Sequence, residues 1–209
     1  MTTSLFLLRH GATRLNLEKP YRLQGSERDE PLAPIGVEQA RRAADVMRPV
    51  PMRAVYSSPL GRAIQTAQLV AAPHALPVIP LNELREGSVG RWENKTWDEI
   101  RAAEPEEYQQ FLDHPDTHGY AGGENLTEVL DRVRPIFHEL LRRHEGQTIA
   151  VMGHQIVNRV IIADLLGLEL RLARKLKFAN GGISLIGMEE GNPVVVSINM
   201  AWPAMVNPG

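Results

Sequence analysis

The stretch Leu5–Asn16, LFLLRHGATRLN, constrains the chain more than any other. Four consecutive bulky apolar residues, Leu5 to Leu8, run straight into Arg9-His10-Gly11. Such a run closed by a glycine predicts a buried strand ending in a tight turn. The turn presents a guanidinium and an imidazole at the carboxyl end of the strand, which is where open α/β sheets bind ligands. An imidazole beside a fixed positive charge suits attack on a phosphoryl group. The neutral ring is the nucleophile and the arginine holds the anion. Thr13 caps a short following helix, which turns Asn16 toward the same pocket.

The same device recurs downstream. Met52–Ser57 (MRAVYS) reads as a strand, and Ser58-Pro59 opens a helix running through Ala72, with serine as cap and proline at the first helical position. Arg62 falls in the first turn of that helix and points back toward the strand end. Gln147–Met152 is a third apolar strand, followed at once by Gly153-His154. Between them, Glu83 and Glu86 flank a glycine-bearing loop. One of these two carboxylates is suited to donate a proton, and the spacing leaves both open.

The other segments fill in an alternating pattern. Residues 17–33 are polar, with Pro20, Gly25 and Pro31, and predict a loop from which Arg22 and Gln24 reach substrate. Pro34–Met47 carries Val37, Ala40, Ala44 and Met47 at helical spacing, stopped by Pro49 and Pro51. Pro77–Pro80 is a short edge strand. Thr96–Ala103 and Pro105–Asp113 are two short helices. With the connection HPDTHGYAGG, residues 96–123 make a small cap over the pocket mouth, with Tyr108, Phe111 and Tyr120 as its core. His114, Asp116 and His118 fit no standard zinc spacing and read as solvated loop. Glu124–Glu145 is a long helix bent by Pro135 and ended by Gly146. Gln155–Leu168 is an apolar helix packed on the sheet, and Arg171–Phe178 is a basic, half-apolar segment. Ile183–Met188 and Val194–Met200 form a terminal hairpin around Glu190-Gly191-Asn192-Pro193. Right-handed crossovers then bring the charged strand ends to one edge of the sheet.

Size and charge narrow the options. At 209 residues a single domain, 1–209, is expected. A net charge of -2 gives no overall attraction to nucleic acid or anionic membrane, so an anion site has to be a local concentration of charge. There is no cysteine, which removes disulfides and thiolate chemistry. No leader pattern or membrane span is visible, which predicts a cytoplasmic protein. An edge strand or the final hairpin offers a surface for a homodimer.

These segments together resemble the histidine phosphatase, or phosphoglycerate mutase-like, superfamily over about residues 4–200. The matching strings are Arg9-His10-Gly11, YRLQGSERDEPLAPIG, SSPLGRAIQTA, and Glu86 just ahead of Gly90-Arg91-Trp92-Glu93-Asn94-Lys95-Thr96. The last is the strand closed by His154. The small broad-specificity and α-ribazole phosphatase branch is the nearer likeness. The resemblance implies a three-layer α/β/α sandwich with a mostly parallel sheet and a helical cap over the strands' carboxyl ends. It implies a phosphohistidine on His10 and selects Glu86 over Glu83 as the acid. Arg9, Arg62, Asn16 and a protonated His154 would hold the phosphate, with Arg22, Gln24 and Gln155 shaping substrate binding. It implies no cofactor and no metal, because arginines neutralise the phosphoryl oxygens. The expected partner is a small phosphate ester, not nucleic acid or membrane. A mutase or a catalytically silent phospho-ligand module are the alternatives. Two departures stand out: asparagine at Asn94 where the family has glycine, and Gly153-His154-Gln155 where it reads Ser/Thr-His-Gly. Asparagine tolerates the left-handed backbone such a turn needs.

Overall fold

The computed structural model describes residues 3–201, so both ends of the expected 1–209 domain lie outside the described residues. Six strands form one sheet: β1 (Ser4–Arg9), β2 (Met52–Ser57), β3 (Val78–Pro80), β4 (Thr148–Gly153), β5 (Ile183–Glu189) and β6 (Asn192–Met200). Their order is β3-β2-β4-β1-β5-β6. β1 to β4 run parallel, and β5 and β6 are antiparallel additions at one edge. Parallel neighbours need long crossovers, and the helices of the chain are those crossovers. They are α1 (Arg14–Leu17), α2 (Pro34–Met47), α3 (Gly61–Ala71), α4 (Trp97–Ala103), α5 (Pro105–Asp113), α6 (Leu126–Arg143) and α7 (Gln155–Leu165).

The central strands are apolar on both faces because both faces are covered. Leu8, Val55, Ala150 and Met152 pack with Met47 of α2 and Ala63, Ala67 and Val70 of α3. On the other side Leu5, Leu7, Ile149 and Val151 pack with Val133, Phe137 and Leu140 of α6 and Val157, Val160 and Ile161 of α7. The result is the expected three-layer α/β/α arrangement. The cap helices α4 and α5 join the α6/α7 side through Ile100 and Phe111, with Trp92 wedged edge-on against Phe111 at 5.4 Å between ring centres.

Several boundaries differ from the sequence reading, each for a local reason. Ser58 does not cap α3, which begins at Gly61. The Ser58 amide is taken by Met152 at 2.9 Å, extending the sheet, and Asp29 accepts the Gly61 amide instead. α6 starts at Leu126 because Asn125 and Glu128 make a reciprocal capping box, each accepting the other's amide at 2.8 Å. Pro135 is accommodated within this 18-residue helix. α7 stops at Leu165 because the Leu168 amide turns back to Ala163 at 2.9 Å, with Gly167 at φ +64°. The hairpin turn is two residues, Glu190 (φ 48°) and Gly191 (φ 81°), so β6 already begins at Asn192. Asn94 does adopt the left-handed backbone, with φ 63°. Among the described residues no helix is long and apolar enough to cross a membrane.

The turn after β1 is clamped from outside. Gly11 donates its amide to Thr66 Oγ1 at 3.0 Å, Ala12 donates to Gln39 Oε1 at 2.8 Å, and Ala33 donates to the Ala12 carbonyl at 2.8 Å. The N-terminus of α2 lies directly on this turn. A Cβ on Gly36 would sit 2.0 Å from the Ala12 oxygen, and one on Gly11 would sit 2.2 Å from the Gly36 oxygen. Gly36→Ala is therefore expected to lower the unfolding free energy by about 1–3 kcal/mol, the usual cost of forcing a methyl into packed structure. The measurement is the urea midpoint at constant slope. An unchanged midpoint would mean that α2 does not press on the turn.

Candidate active site

Arg9, His10, Arg62, Glu86 and His154 gather past the carboxyl ends of the four parallel strands. Arg9 closes β1 and His10 follows it. Arg62 sits in the first turn of α3 after β2, Glu86 follows the loop after β3, and His154 precedes α7 after β4. The His10 and His154 rings are 5.1 Å apart. An adjoining cavity of about 630 Å³ is lined by Arg9, Asn16, Gln24, Glu86 and Gln155 among others. His10, Arg62 and His154 are deeper: His10 keeps 3% of its surface exposed, Arg62 1% and His154 none.

The geometry of His10 fixes its tautomer. Nδ1 lies 2.7 Å from the Gly11 carbonyl, which only accepts, so Nδ1 carries the proton and Nε2 offers its lone pair. The two arginines are held by main-chain oxygens. Arg9 Nη1 donates to Phe178 O at 2.6 Å. Arg62 donates from Nη2 to Gly25 O at 2.9 Å and from Nη1 to Arg28 O at 3.0 Å, with Asp29 Oδ1 a distant 3.4 Å. Glu86 accepts amides from Gly87 at 3.0 Å and from Ile156, in the first turn of α7, at 3.1 Å. Asn180 donates to His10 O at 3.1 Å and to Asn16 Oδ1 at 3.2 Å, which ties β1's turn to the strand β5 side.

Buried side-chain atoms without a hydrogen-bond partner concentrate here: Arg9 Nε, Arg62 Nε, both ring nitrogens of His154, Gln155 Oε1 and Asn180 Oδ1. Buried polar groups normally find partners, so this cluster marks a place built for a polar ligand. Burial and the charges of Arg62 and Arg9 push the His10 imidazole well below its ordinary pKa. His154 is pushed down the same way, by burial first, then by Arg62, His10 and Arg9. Burial first, and then the Arg62 and Arg9 guanidinium groups, thus disfavour a proton on His154 as long as no anion offsets those charges.

The structure assigns the remaining candidates unequally. Asn16, Gln24 and Gln155 face the cavity. Arg22 does not; it donates to Asn94 O at 2.7 Å and pairs with Glu99 at 3.1 Å, fastening the loop to α4. Its expected reach to substrate is corrected, because a carboxylate three residues into the cap captures it first. Glu83 is exposed and outside the cavity wall, so Glu86 is the carboxylate at the site. In the cap, Tyr120 lines the cavity, its hydroxyl pKa raised to about 12 by burial, while Phe111 is core. Sequence reading missed Tyr21, Trp97, Arg159, Arg174, Lys177 and Asn180, all on the wall. Only Arg159 carried a legible signal, one helical turn beyond Gln155.

With this geometry in view, comparisons with known proteins are specific. The family model described as "Histidine phosphatase superfamily (branch 1)" matches residues 5–201. Phosphoserine phosphatase 1 of Hydrogenobacter thermophilus is 31% identical over 196 residues, 94% of this chain and 92% of that protein. A probable phosphoglycerate mutase of Yersinia pestis is 29% identical over 186 residues, 89% of this chain and 85% of that protein. The crystal structure of the α-ribazole phosphatase from Shigella flexneri superposes with a TM-score of 0.83 at 27% identity, covering 94% of this chain and 96% of that one. By this match over nearly the whole described chain, the protein belongs to branch 1 of the histidine phosphatase superfamily.

Proposed function

We propose that the protein hydrolyses small phosphate monoesters through a phosphohistidine on His10. The observation that carries this reading is the His10 imidazole: Nδ1 is tied to Gly11 O, which leaves Nε2 its lone pair, and the buried ring feels the charges of Arg62 and Arg9. In the first step Nε2 attacks phosphorus in line, the P–N bond forms and the P–O bond to the alcohol breaks. Arg9 and Arg62 neutralise the equatorial oxygens, which is most of what phosphoryl transfer asks of a protein. Glu86, in its protonated form, gives its proton to the departing alkoxide. In the second step Glu86 takes a proton from water, the water oxygen attacks phosphorus and the P–N bond breaks. Asn16 and Gln155 add neutral hydrogen bonds at the cavity wall. Arrival of a phosphate dianion offsets the two arginine charges and lets His154 take up a proton as a third cation.

The relatives named as phosphatases support water as the acceptor. The likeness to the Yersinia mutase supports a second reading, return of the phosphoryl group to a bound product. With 3-phosphoglycerate, the first reading yields free phosphate faster than 2-phosphoglycerate, and the second reverses that order. A silent binding module is disfavoured because the chain keeps both nucleophile and acid.

Hydrolysis of an aryl phosphate, run with and without chelator, is the direct test. His10→Ala should abolish turnover and the acid-labile, base-stable phosphate trapped on the wild-type chain. Labelling that survives in His10→Ala would move the nucleophile elsewhere. Glu86→Gln should lower kcat by about 10²–10⁴ for alkyl phosphates, whose alkoxide needs a proton, and much less for p-nitrophenyl phosphate. Equal losses on both would remove Glu86 from the acid role.

The depressed imidazoles give a further outcome. An unfolded histidine binds a proton near pH 6.5, and folded His10 and His154 do so only well below it. Ring NMR signals of both should therefore stay in the neutral form through pH 6.5. Because the unfolded chain then binds more protons, these two residues should make stability fall as pH drops below about 6.5. A midpoint near 6.5 for the folded His10 ring would contradict the site's electrostatics.

A further inference from the structure

Glu86 stands on irregular chain between two short 3₁₀ turns, Asn82–Leu84 and Gly90–Trp92. A carboxyl group protonates a leaving oxygen only from the right place, and about 1 Å of misplacement can cost about 10²-fold. The residues that fix this loop come from α6 and from the chain just ahead of it. Arg132, in the second turn of α6, donates from Nη1 to Glu83 O at 2.5 Å and from Nη2 to Glu86 O at 3.3 Å. The same guanidinium grips Glu124 with two bonds, Nε to Oε1 at 2.7 Å and Nη2 to Oε2 at 3.1 Å. Glu124 Oε2 in turn accepts the Ser88 amide at 2.8 Å, and the Glu124 amide donates to Ser88 O at 2.9 Å. Main-chain groups on both sides of the Glu86 side chain are thereby tied to one ion pair. The chain leaving the cap also lies directly on this loop. A Cβ on Gly123 would sit 2.3 Å from Ser88 O, and one on Gly90 would sit 2.4 Å from Ala121 O.

The two side chains keep 25% and 26% of their surface exposed, where an ion pair adds little to the stability of a fold. Its geometry is nevertheless rigid. A two-bond arginine–carboxylate pair has one arrangement, and four of the five N–H donors of Arg132 end on Glu124 or on the loop. Neither residue lines the cavity. The Glu86 carboxylate, held by the amides of Gly87 and Ile156, is therefore joined to the sheet side by α7 and to the cap side by this pair. We propose that Arg132 and Glu124 are positioning residues for the acid: they hold residues 83–88 so that the Glu86 carboxyl meets the leaving oxygen. They act through Glu86 and touch no substrate. This inference rests on the phosphatase reading and on Glu86 as its acid. Loss of a purely structural pair would slow all esters alike. Loss of a pair that places the acid slows those whose leaving group needs a proton.

The test compares kcat/KM for glycerol 3-phosphate, which releases an alkoxide, with that for p-nitrophenyl phosphate, whose leaving group departs without a proton. This parameter reports the first step, before the water attack that is common to both esters. In Arg132→Met the alkyl-to-aryl ratio of kcat/KM should fall about tenfold or more below wild type, part of the loss expected for Glu86→Gln. Glu124→Gln, which keeps the shape of the side chain, should lower the ratio in the same direction. It decides the question by that ratio if Arg132→Met shows no cooperative urea transition. In the Glu86→Gln background, Arg132→Met should lower the ratio no further, because the residue acts through the acid. Equal losses on both esters, an unchanged ratio, or a further fall in the Glu86→Gln background overturns the positioning role while leaving the phosphatase reading intact. If Glu86→Gln itself leaves the ratio at the wild-type value, the acid role fails and the positioning role falls with it. If the wild type hydrolyses neither ester, the phosphatase reading is what fails, and this inference fails as its consequence.

Discussion

Buried positive charge held by backbone carbonyls is the interaction on which the site depends. Arg9 is fastened to Phe178 O, Arg62 to Gly25 O and Arg28 O, and Arg159 to Leu176 O. A carbonyl oxygen orients a guanidinium without cancelling its charge. A carboxylate in the same place would neutralise it and compete with phosphate. Among the described residues Arg62 pairs with one carboxylate, Asp29, which stands 3.4 Å away and is partly exposed, so that pair weakens little of the charge. The burden is desolvation, which lowers the pKa of Arg9, Arg62 and Arg159 alike, and an arginine still remains charged under it. Lysine in these positions would be far easier to deprotonate.

That same field sets the state of the imidazoles. Burial, with the charges of Arg62 and Arg9, holds the His10 and His154 imidazoles well below their ordinary range. For the mechanism proposed for His10 this is useful, since only the neutral ring is a nucleophile. For His154 it means that cationic help is conditional on ligand. In the proposed mechanism, one electrostatic arrangement thus serves both the His10 nucleophile and a His154 charge that answers to the substrate. The clamps from Thr66 and Gln39 and the close approach of Gly36 matter because they keep the Gly11 carbonyl where it fixes the tautomer.

Arg9, His10, Arg62 and His154 were legible in the sequence because each follows an apolar strand, and strand ends in a parallel sheet share an edge; Glu86, beyond the short exposed β3, was singled out from Glu83 only by the family resemblance. β1, β2 and the start of β4 follow directly from runs of apolar residues covered on both faces. Element boundaries were less legible where a distant partner decides them. Ser58 looks like a helix cap until Met152 takes its amide, and Asp29 caps α3 from thirty-two residues upstream. Arg22 looks like a ligand residue until Glu99, on the far side of the chain order, pairs with it. The wall cations Arg174 and Lys177 were invisible for the same reason. Nothing local in a 3₁₀ turn says that it folds over a cavity whose other walls come from the first and fourth strands.

α7 shows how a departure from the family pattern is absorbed. His154 precedes the helix, Gln155 begins it, the Ile156 amide holds Glu86, and Arg159 follows one turn on. The residue before His154 is Gly153, and a Cβ there would lie 2.5 Å from Asn158 Oδ1. Asn158 is fully buried and is on the helix turn that faces the end of β4. The space a serine or threonine would need beside His154 is therefore filled by the Asn158 amide, and glycine is the residue compatible with it. A side chain at 153 would have to displace the Asn158 amide first. The bulk of Gln155 is directed into the cavity instead, where its buried Oε1 has no protein partner and faces whatever the arginines bind. The local change beside His154 thus leaves the catalytic frame in place and alters the wall that a substrate's alcohol part meets.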